Sequence, residues 1–316
     1  MSRHFLSTLF IPRSVAVFGV SEETGAIGTI AFKNLLEGEY KGTLYAISPT
    51  HKKILEQRVY ANLKEVAQPV DLAVIASPAQ ELPEILESCG EHGIHTAIIL
   101  TGGFVHAGKV SAKLAQTVVG ITKGYSLRFL GPDSLGLMRA QLGLNATFTQ
   151  NRLKPGNLAL VSQSGSLCTA ILDWAELNDV GFSTVVSLGD AIDISFGEVL
   201  DYLAFDPQTG SIILYIETIH HARNFMSALR AAARMKPVIV LKSGRYDLDT
   251  QSSTHQHSAL LNKDAAFDAA LQRAGVVRVE NFGQIFATAT TLASRYQAYG
   301  SRLLIISNGV GPGIMA

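Results

Sequence analysis

Short runs of apolar, mostly β-branched residues recur along the chain, separated by segments whose apolar positions return every three or four residues. The runs VAVFGV (15–20), TLYAI (43–47), DLAVIA (71–76), TAIIL (96–100) and LRFL (127–130) have the length and content of buried strands. Between them, IAFKNLLEG, QELPEILESCGEHG and KVSAKLAQTVVGITKG carry apolar residues at helical spacing. This alternation predicts βαβ units and a parallel sheet covered on both faces. A second cycle starts at NLALVSQ (157–163) and continues through FSTVVSL, SIILYIE, PVIVLKS and VVRVE. Its helices are expected near 166–178, 194–204, 221–235 and 264–274. The stretch 131–156 is rich in turn residues and has no helical period, so it reads as an inter-domain connection. A third cycle opens with RLLIISNGVGPGIMA (302–316). A lone strand cannot bury itself, so the expectation is a piece of a longer protein. The predicted organisation is one domain over 1–130, the connection, a second domain over 157–297, and the truncated start of another over 298–316.

Composition narrows the classes. With 316 residues, 47% apolar and 16% charged, two well-packed domains are the natural expectation. Lys+Arg and Asp+Glu balance at 26 each, which argues against a nucleic-acid binder driven by bulk charge. Cys89 and Cys168 lie far apart and lack metal-ligand spacing, so they read as reduced core thiols and no metal site is expected. Arg3, His4 and Arg13 interrupt the N-terminal apolar stretch, making it a poor secretory signal, and no run is long enough for a membrane helix. The expected location is the cytoplasm.

Candidate chemistry gathers at strand ends. FGVSEETGAIG (18–28) joins the first strand to a helix, and Gly19, Gly25 and Gly28 would let backbone N–H groups approach an anion. Its spacing is not that of a dinucleotide fingerprint. After the second strand, where a nicotinamide dinucleotide site wants an acid, the chain has Ser48, Pro49, Lys52 and Lys53. Two lysines there suit a ligand with an extra phosphate near its ribose, as coenzyme A or NADP has, or are simply solvated. Small residues follow at ASPA (76–79) and TGGF (101–104), where a long ligand could lie across the strand ends. SQSGSL (162–167) opens a helix with Ser164, Gly165 and Ser166, a phosphate seat or a well-capped helix. Glu217 ends another strand and could orient a histidine ring. His220 and His221 follow it without a third ligand at metal spacing.

The chain resembles the NDP-forming acyl-CoA synthetases, relatives of the succinyl-CoA synthetase α subunit. RSVAVFGVS, FLGPDSLGL, GLNATF, PGNLALVSQSGSL, AILDWA, SLGDAIDI, LYIE and KPVIVLKSGR stand in that family's order and spacing. The resemblance spans essentially the whole chain. It implies an α/β architecture: a Rossmann-like CoA-binding domain, then a flavodoxin-like succinyl-CoA ligase domain, both with parallel sheets. It implies CoA or acetyl-CoA contacts at Gly19, Ser21, Gly25, Gly28, Ser48, Pro49, Lys52 and Lys53. The pantetheine path is implied at Ser77, Pro78, Thr101, Gly102 and Gly103. Ser164, Gly165 and Ser166 would seat the phosphoryl group, and Glu217 would support a phosphohistidine.

One departure matters. Counting from Arg245 and back from Asp264, the family's phosphohistidine falls on Gln256, flanked by His255 and His257. An amide nitrogen is no nucleophile, and phosphoryl transfer tolerates little misplacement. This favours lost ligase chemistry, and it resembles a branch of the family, the bacterial Pat-type protein lysine acetyltransferases, in which a ligase-like region is joined to a GNAT domain. On that reading the chain is a regulatory CoA- or acyl-CoA-binding region, inactive by itself. The alternative is the α-type half of an ADP-forming acyl-CoA (acetate–CoA) synthetase acting through His255 or His257. Either way ATP or ADP would enter only through an ATP-grasp domain or partner absent from this chain, with a GNAT domain in cis or trans on the first reading. A homo-oligomer stays open. An NAD(P)-dependent oxidoreductase is disfavoured by the missing acid after the second strand and by the second ligase-like cycle.

Overall fold

Strand β1 (Ser14–Phe18) is buried at every position and lies at the middle of the first sheet. Around it run β2 (Thr43–Ile47), β3 (Lys53–Ile54), β4 (Gln57–Tyr60), β5 (Leu72–Ile75), β6 (Thr96–Ile99) and β7 (Arg128–Leu130), in the order β3-β4-β2-β1-β5-β6-β7. All pairs are parallel except β3 with β4. The computed structural model describes residues 4–102, 109–243, 264–293, 300–302 and 304–315. Strand period decides which side chain meets which helix. Val15 and Val17 pack toward α1 (Ser7–Phe10) and α2 (Ile27–Glu37), while Ala16 and Phe18 pack toward α3 (Leu82–Glu91) and α4 (Lys109–Gly124).

The second sheet holds β8 (Gly136–Arg139), β9 (Leu144–Thr147), β10 (Pro155–Ser162), β11 (Phe182–Ser187), β12 (Ser211–Ile216), β13 (Val238–Lys242) and β14 (Val277–Val279). Its order is β14-β13-β12-β10-β11-β8-β9, a flavodoxin-like parallel sheet extended by an antiparallel hairpin. Helices α5 (Gly165–Leu177) and α9 (Phe282–Ala293) cover one face. Helices α6 (Phe196–Phe205), α7 (Ala222–Met235) and α8 (Asp264–Ala274) cover the other. The α/β reading with two mostly parallel sheets therefore stands.

Three local differences from the sequence reading have physical reasons. Residues 131–156 are more than a connection, because β8 and β9 add two strands to the second sheet. The β3–β4 hairpin turns through Leu55 and Glu56, both at positive φ without glycine or asparagine, so it carries no turn signal. Residues 304–307 join neither ladder, and Leu304 and Ile306 are exposed; the expected strand has no neighbour to pair with among the described residues. The short helix α10 (Val310–Met315) follows them.

One apolar cluster runs across both units, from Leu9, Phe10 and Phe32 through Leu144 to Phe196 and Leu229. Asn34 on α2 seals the join by donating to the carbonyls of Thr147 (2.8 Å) and Thr149 (2.7 Å). The two sheets share a core, so the edges that carry the candidate chemistry are held in fixed relation.

Candidate functional site

The chain order of the first sheet reverses between β1 and β5, where an open parallel sheet leaves its crevice. Gly19 sits there at φ +79°, and a Cβ on it would lie 2.7 Å from the Ala76 carbonyl carbon and 2.8 Å from the Ser77 nitrogen. Gly28, in the first turn of α2, is pressed equally hard: its Cβ would be 2.4 Å from the Gly19 oxygen. The loop between them is held by Ser21 and Thr29. The Ser21 N–H donates to Thr29 Oγ1 (2.9 Å), which donates back to the Ser21 carbonyl (2.6 Å). Helix α2 begins after Ala26, which offers no side-chain cap, so its first N–H groups face the crevice without a side-chain acceptor. Gly25 is exposed at φ +82° with nothing near its missing Cβ.

Beside this loop, the end of β2 presents buried Ser48 and exposed Pro49. Ser48 Oγ lies 3.2 Å from His51 Nδ1 and 3.3 Å from Thr50 Oγ1. Lys52 and Lys53 are exposed, and Lys53 pairs across the hairpin with Arg58, whose guanidinium sits 4.5 Å above the Tyr60 ring. Arg58 is a third cation that the linear reading missed, because the hairpin that brings it there was invisible. On the other side, Ser77 is buried and Pro78 exposed, and Thr101 Oγ1 donates to the Ser77 carbonyl at 2.6 Å. A Cβ on Gly102 would be 2.6 Å from Asp133 Oδ1. Gly103 lies outside the described residues.

In the second sheet the reversal falls between β10 and β12. Ser164 caps α5, its Oγ accepting from the Leu167 N–H (3.3 Å) and standing 3.0 Å from Ser166 Oγ. Buried Ser162 braces the turn, donating to the Ser164 carbonyl (2.9 Å) and accepting from its N–H (3.0 Å). Gln163, also missed in the linear reading, ties the two strand ends together. Its Oε1 accepts from the N–H groups of Glu217 (2.7 Å) and Thr218 (2.9 Å), and its Nε2 donates to Thr218 Oγ1 (3.2 Å). Glu217 is exposed at this edge. Burial raises the Tyr215 phenol above its ordinary range, and the Glu217 carboxylate adds to that. His255, Gln256 and His257 lie outside the described residues. No three metal-ligating side chains converge among the described residues.

The two edges meet through residues 131–135. The Asp133 N–H donates to the Thr101 carbonyl (3.1 Å), and the Asp190 N–H to the Pro132 carbonyl (2.9 Å). Gly189, at φ +58°, packs so closely that a Cβ would lie 2.1 Å from the Pro132 oxygen. The Leu135 N–H donates to Ser187 Oγ (3.0 Å), and a Cβ on Gly165 would stand 3.3 Å from that of Leu135. The Thr101–Gly102 strand end and the start of α5 are thus separated by one short segment. Nearby, Arg128 Nε bonds both carboxylate oxygens of Asp193 at 2.8 and 2.9 Å. Burial still leaves the Asp193 carboxyl raised, against the pull of the Phe129 N–H and Arg128. Burial pushes Cys89 and Cys168 up to about 12, so neither thiol is a nucleophile at neutral pH.

Residues 13–140 match the model of a CoA binding domain, and residues 155–292 match that of the succinyl-CoA ligase like flavodoxin domain. The α subunit of ADP-forming acetate–CoA ligase I from Pyrococcus furiosus is 36% identical over 315 residues, covering 98% of this chain and 68% of that subunit. ADP-forming acetate–CoA ligase I from Archaeoglobus fulgidus is 35% identical over 311 residues, covering 98% of this chain and 45% of that protein. The apo form of dinucleotide-forming acetyl-coenzyme A synthetase 1 from Ca. Korarchaeum cryptofilum superposes with a TM-score of 0.91 at 31% identity, over 98% of this chain and 67% of that one.

Proposed function

We propose, since the chain belongs to the family of ADP-forming acetate–CoA ligases, that it is the α-type half of such an acid–CoA ligase. It holds CoA or its thioester and hands a phosphoryl group to and from an ATP-using domain or partner. The observation that carries this reading is the junction at 131–135, which holds the Thr101–Gly102 end of the first crevice one short, closely packed segment from the N-terminus of α5. A thiol delivered along the first edge would arrive beside a group held at the second.

The residues fit such a ligand. Gly19 and Gly28, where a Cβ would strike neighbouring backbone, hold the loop close against the strand ends, and the uncapped start of α2 would supply donors and a favourable dipole to a phosphate there. Lys52, Lys53 and Arg58 supply cations for a further phosphate. Ser77, Pro78, Thr101 and Gly102 would let the pantetheine arm pass. At the other edge, Ser164, Gly165 and Ser166 would receive a phosphoryl group at the head of α5. Glu217 would orient an imidazole from the 255–257 stretch by accepting from its second ring nitrogen. That imidazole would attack phosphorus through one ring nitrogen, forming the N–P bond as the P–O bond to the leaving group breaks.

A second reading rests on Gln256 at the position counted for that imidazole: a CoA-binding region without phosphoryl transfer. The relatives reported above are ligases, so the Pat-type acetyltransferase branch draws no support from them. One experiment separates the readings. The chain is incubated with labelled ATP and an ATP-using partner from an ADP-forming ligase, and CoA binding is measured by calorimetry. Base-stable, acid-labile label on His255 or His257 is expected for the ligase. CoA binding without label would select the silent region, and absence of CoA binding would reject both. Within the same titration, Lys52→Ala with Lys53→Ala should weaken CoA about tenfold or more, and dephospho-CoA less. Equal losses for both ligands would place the lysines elsewhere.

A further inference from the structure

Helix α7 turns Phe225, Ala228, Leu229 and Ala232 into the core. Its opposite face carries Arg223, Arg230 and Arg234, with Ser227 in line between them, all exposed. The helix contains no acid, and no carboxylate lies within ion-pair distance of the three arginines among the described residues. Arg234, in the last turn, suits the helix dipole; Arg223, in the first turn, opposes it. Arginines beside a half-buried, adaptable methionine (Met226) resemble a protein interface, whose composition favours both residue types over lysine.

The chain carries the complementary face itself. Along α3 and the turn before it, Glu81, Glu84, Glu87 and Glu91 are exposed, and among the described residues no cation lies within ion-pair distance of them. Here too one charge is at the wrong end, Glu91 being the last residue of its helix. Laid antiparallel, Arg234 meets Glu81, Arg230 meets Glu84 and Arg223 meets Glu91, with spacings of four and seven residues against three and seven. The stripes are each about 15 Å long at 1.5 Å per residue. In this pairing the two misplaced charges neutralise one another. Helix α3 packs in the core of the first sheet and α7 in that of the second, and no ion pair joins them within the chain.

We propose that the arginine face of α7 docks on the glutamate face of α3 of a second copy of this chain. The contact is head to tail, so it closes into a ring or grows, and its strength falls with salt. It does not depend on the ligase reading. The test is sedimentation of the full chain at about 0.05 M and about 0.5 M salt, concentrations that bracket strong and weak screening. Self-association is expected at the lower salt and its loss at the higher. Reversing α7 (Arg223→Glu, Arg230→Glu, Arg234→Glu) or α3 (Glu84→Lys, Glu87→Lys, Glu91→Lys) should each weaken association about 10- to 100-fold, from exposed pairs worth a few-fold apiece. Mixing the two variants should restore association with the two in equal proportion and alternating, because each reversed face then fails only against its own kind. Unchanged melting curves establish that both variants fold. A wild type that stays monomeric at low salt, an association indifferent to both reversals, or a mixture that stays monomeric would overturn the proposal. So would binding of the α7 face to anionic vesicles or duplex DNA in place of a second copy.

Discussion

Arg139→Ala should lower stability by about 3–5 kcal/mol, read as a fall in the urea midpoint at pH 7, because it strands a buried carboxylate. Arg139, at the end of β8, is 2% exposed. Its Nη1 donates to Asp206 Oδ2 (2.7 Å) and Thr184 Oγ1 (2.9 Å), and its Nη2 to Asp206 Oδ1 (3.2 Å). Asp206 follows the last turn of α6 and takes a further bond from Thr209 Oγ1 (2.7 Å). Burial alone would push the Asp206 carboxyl up, but the bonds and charge of Arg139, with Thr209 and the Gln208 N–H, hold it below the ordinary range. A depressed carboxylate stabilises the fold above its unfolded-state value and loses that contribution as pH falls through the folded one. In Arg139→Ala the sign reverses. The unpartnered carboxylate is expected to be raised, so the deficit against wild type is largest at neutral pH and shrinks on acidification. Arg139→Met combined with Asp206→Leu should recover most of the loss. A single variant within about 1 kcal/mol of wild type would mean that water already satisfies Asp206.

The consequence reaches the site through the join between the sheets. The Arg139 guanidinium lies 6.0 Å from the centre of the Phe10 ring, and Phe10 stacks on Tyr202 at 4.0 Å. One ion pair therefore anchors α1 of the first unit, β8 of the second sheet's added hairpin and α6 together. If that anchor loosens, the segment 131–135 between β7 and β8 loses one of its fixed ends. The separation of the two strand edges is what the proposed transfer depends on, and such chemistry tolerates little displacement.

How much of this was legible in the chain depended on how local each signal is. Strands β1 and β12 are buried at every position and β10 is buried from Leu158 to Ser162, so they read as apolar runs, and the periods of α4 and α8 mark their full lengths. Helix α9 shows the same period through Phe282, Ile285 and Ala289, but it starts so soon after the short strand β14 that the sequence pattern does not separate the two. The hairpin β8–β9 offers only GLMR and LNAT among turn residues, too short to stand out. The glycines and serines at the strand ends were visible because their lack of bulk is itself the signal. Gln163 and Asp133 were not, since each serves a partner that only the strand order brings near: β12 for one, Gly102 and Gly189 for the other. Arg139 and Asp206 are 67 positions apart, and nothing in either neighbourhood announces the other.

Gly19→Val should abolish CoA binding by at least about 100-fold and cost about 2–6 kcal/mol of stability, summing a positive-φ penalty with overpacking. The backbone at Gly19 is at φ +79°, which a β-branched residue strongly resists. Its Cβ alone would meet three backbone atoms of Ala76 and Ser77 within 2.9 Å. Those atoms cannot retreat cheaply. The Ala76 N–H donates to the Phe18 carbonyl (3.1 Å), and the Ser77 carbonyl accepts from Thr101 Oγ1 (2.6 Å), so relief would have to part β1 from β5. The whole displacement would fall on the loop that fronts α2, where the ligand's phosphates are expected. Gly25→Ala is the matched control. It has nearly the same φ, +82°, but nothing lies within 4 Å of its Cβ, so only the conformational penalty applies, about 1 kcal/mol. Calorimetric titration with CoA, paired with melting curves, separates the two effects. If Gly19→Val bound CoA as tightly as the wild type, the crevice at the β1–β5 reversal would not be the CoA site, and the lysine hairpin beside it would need another ligand.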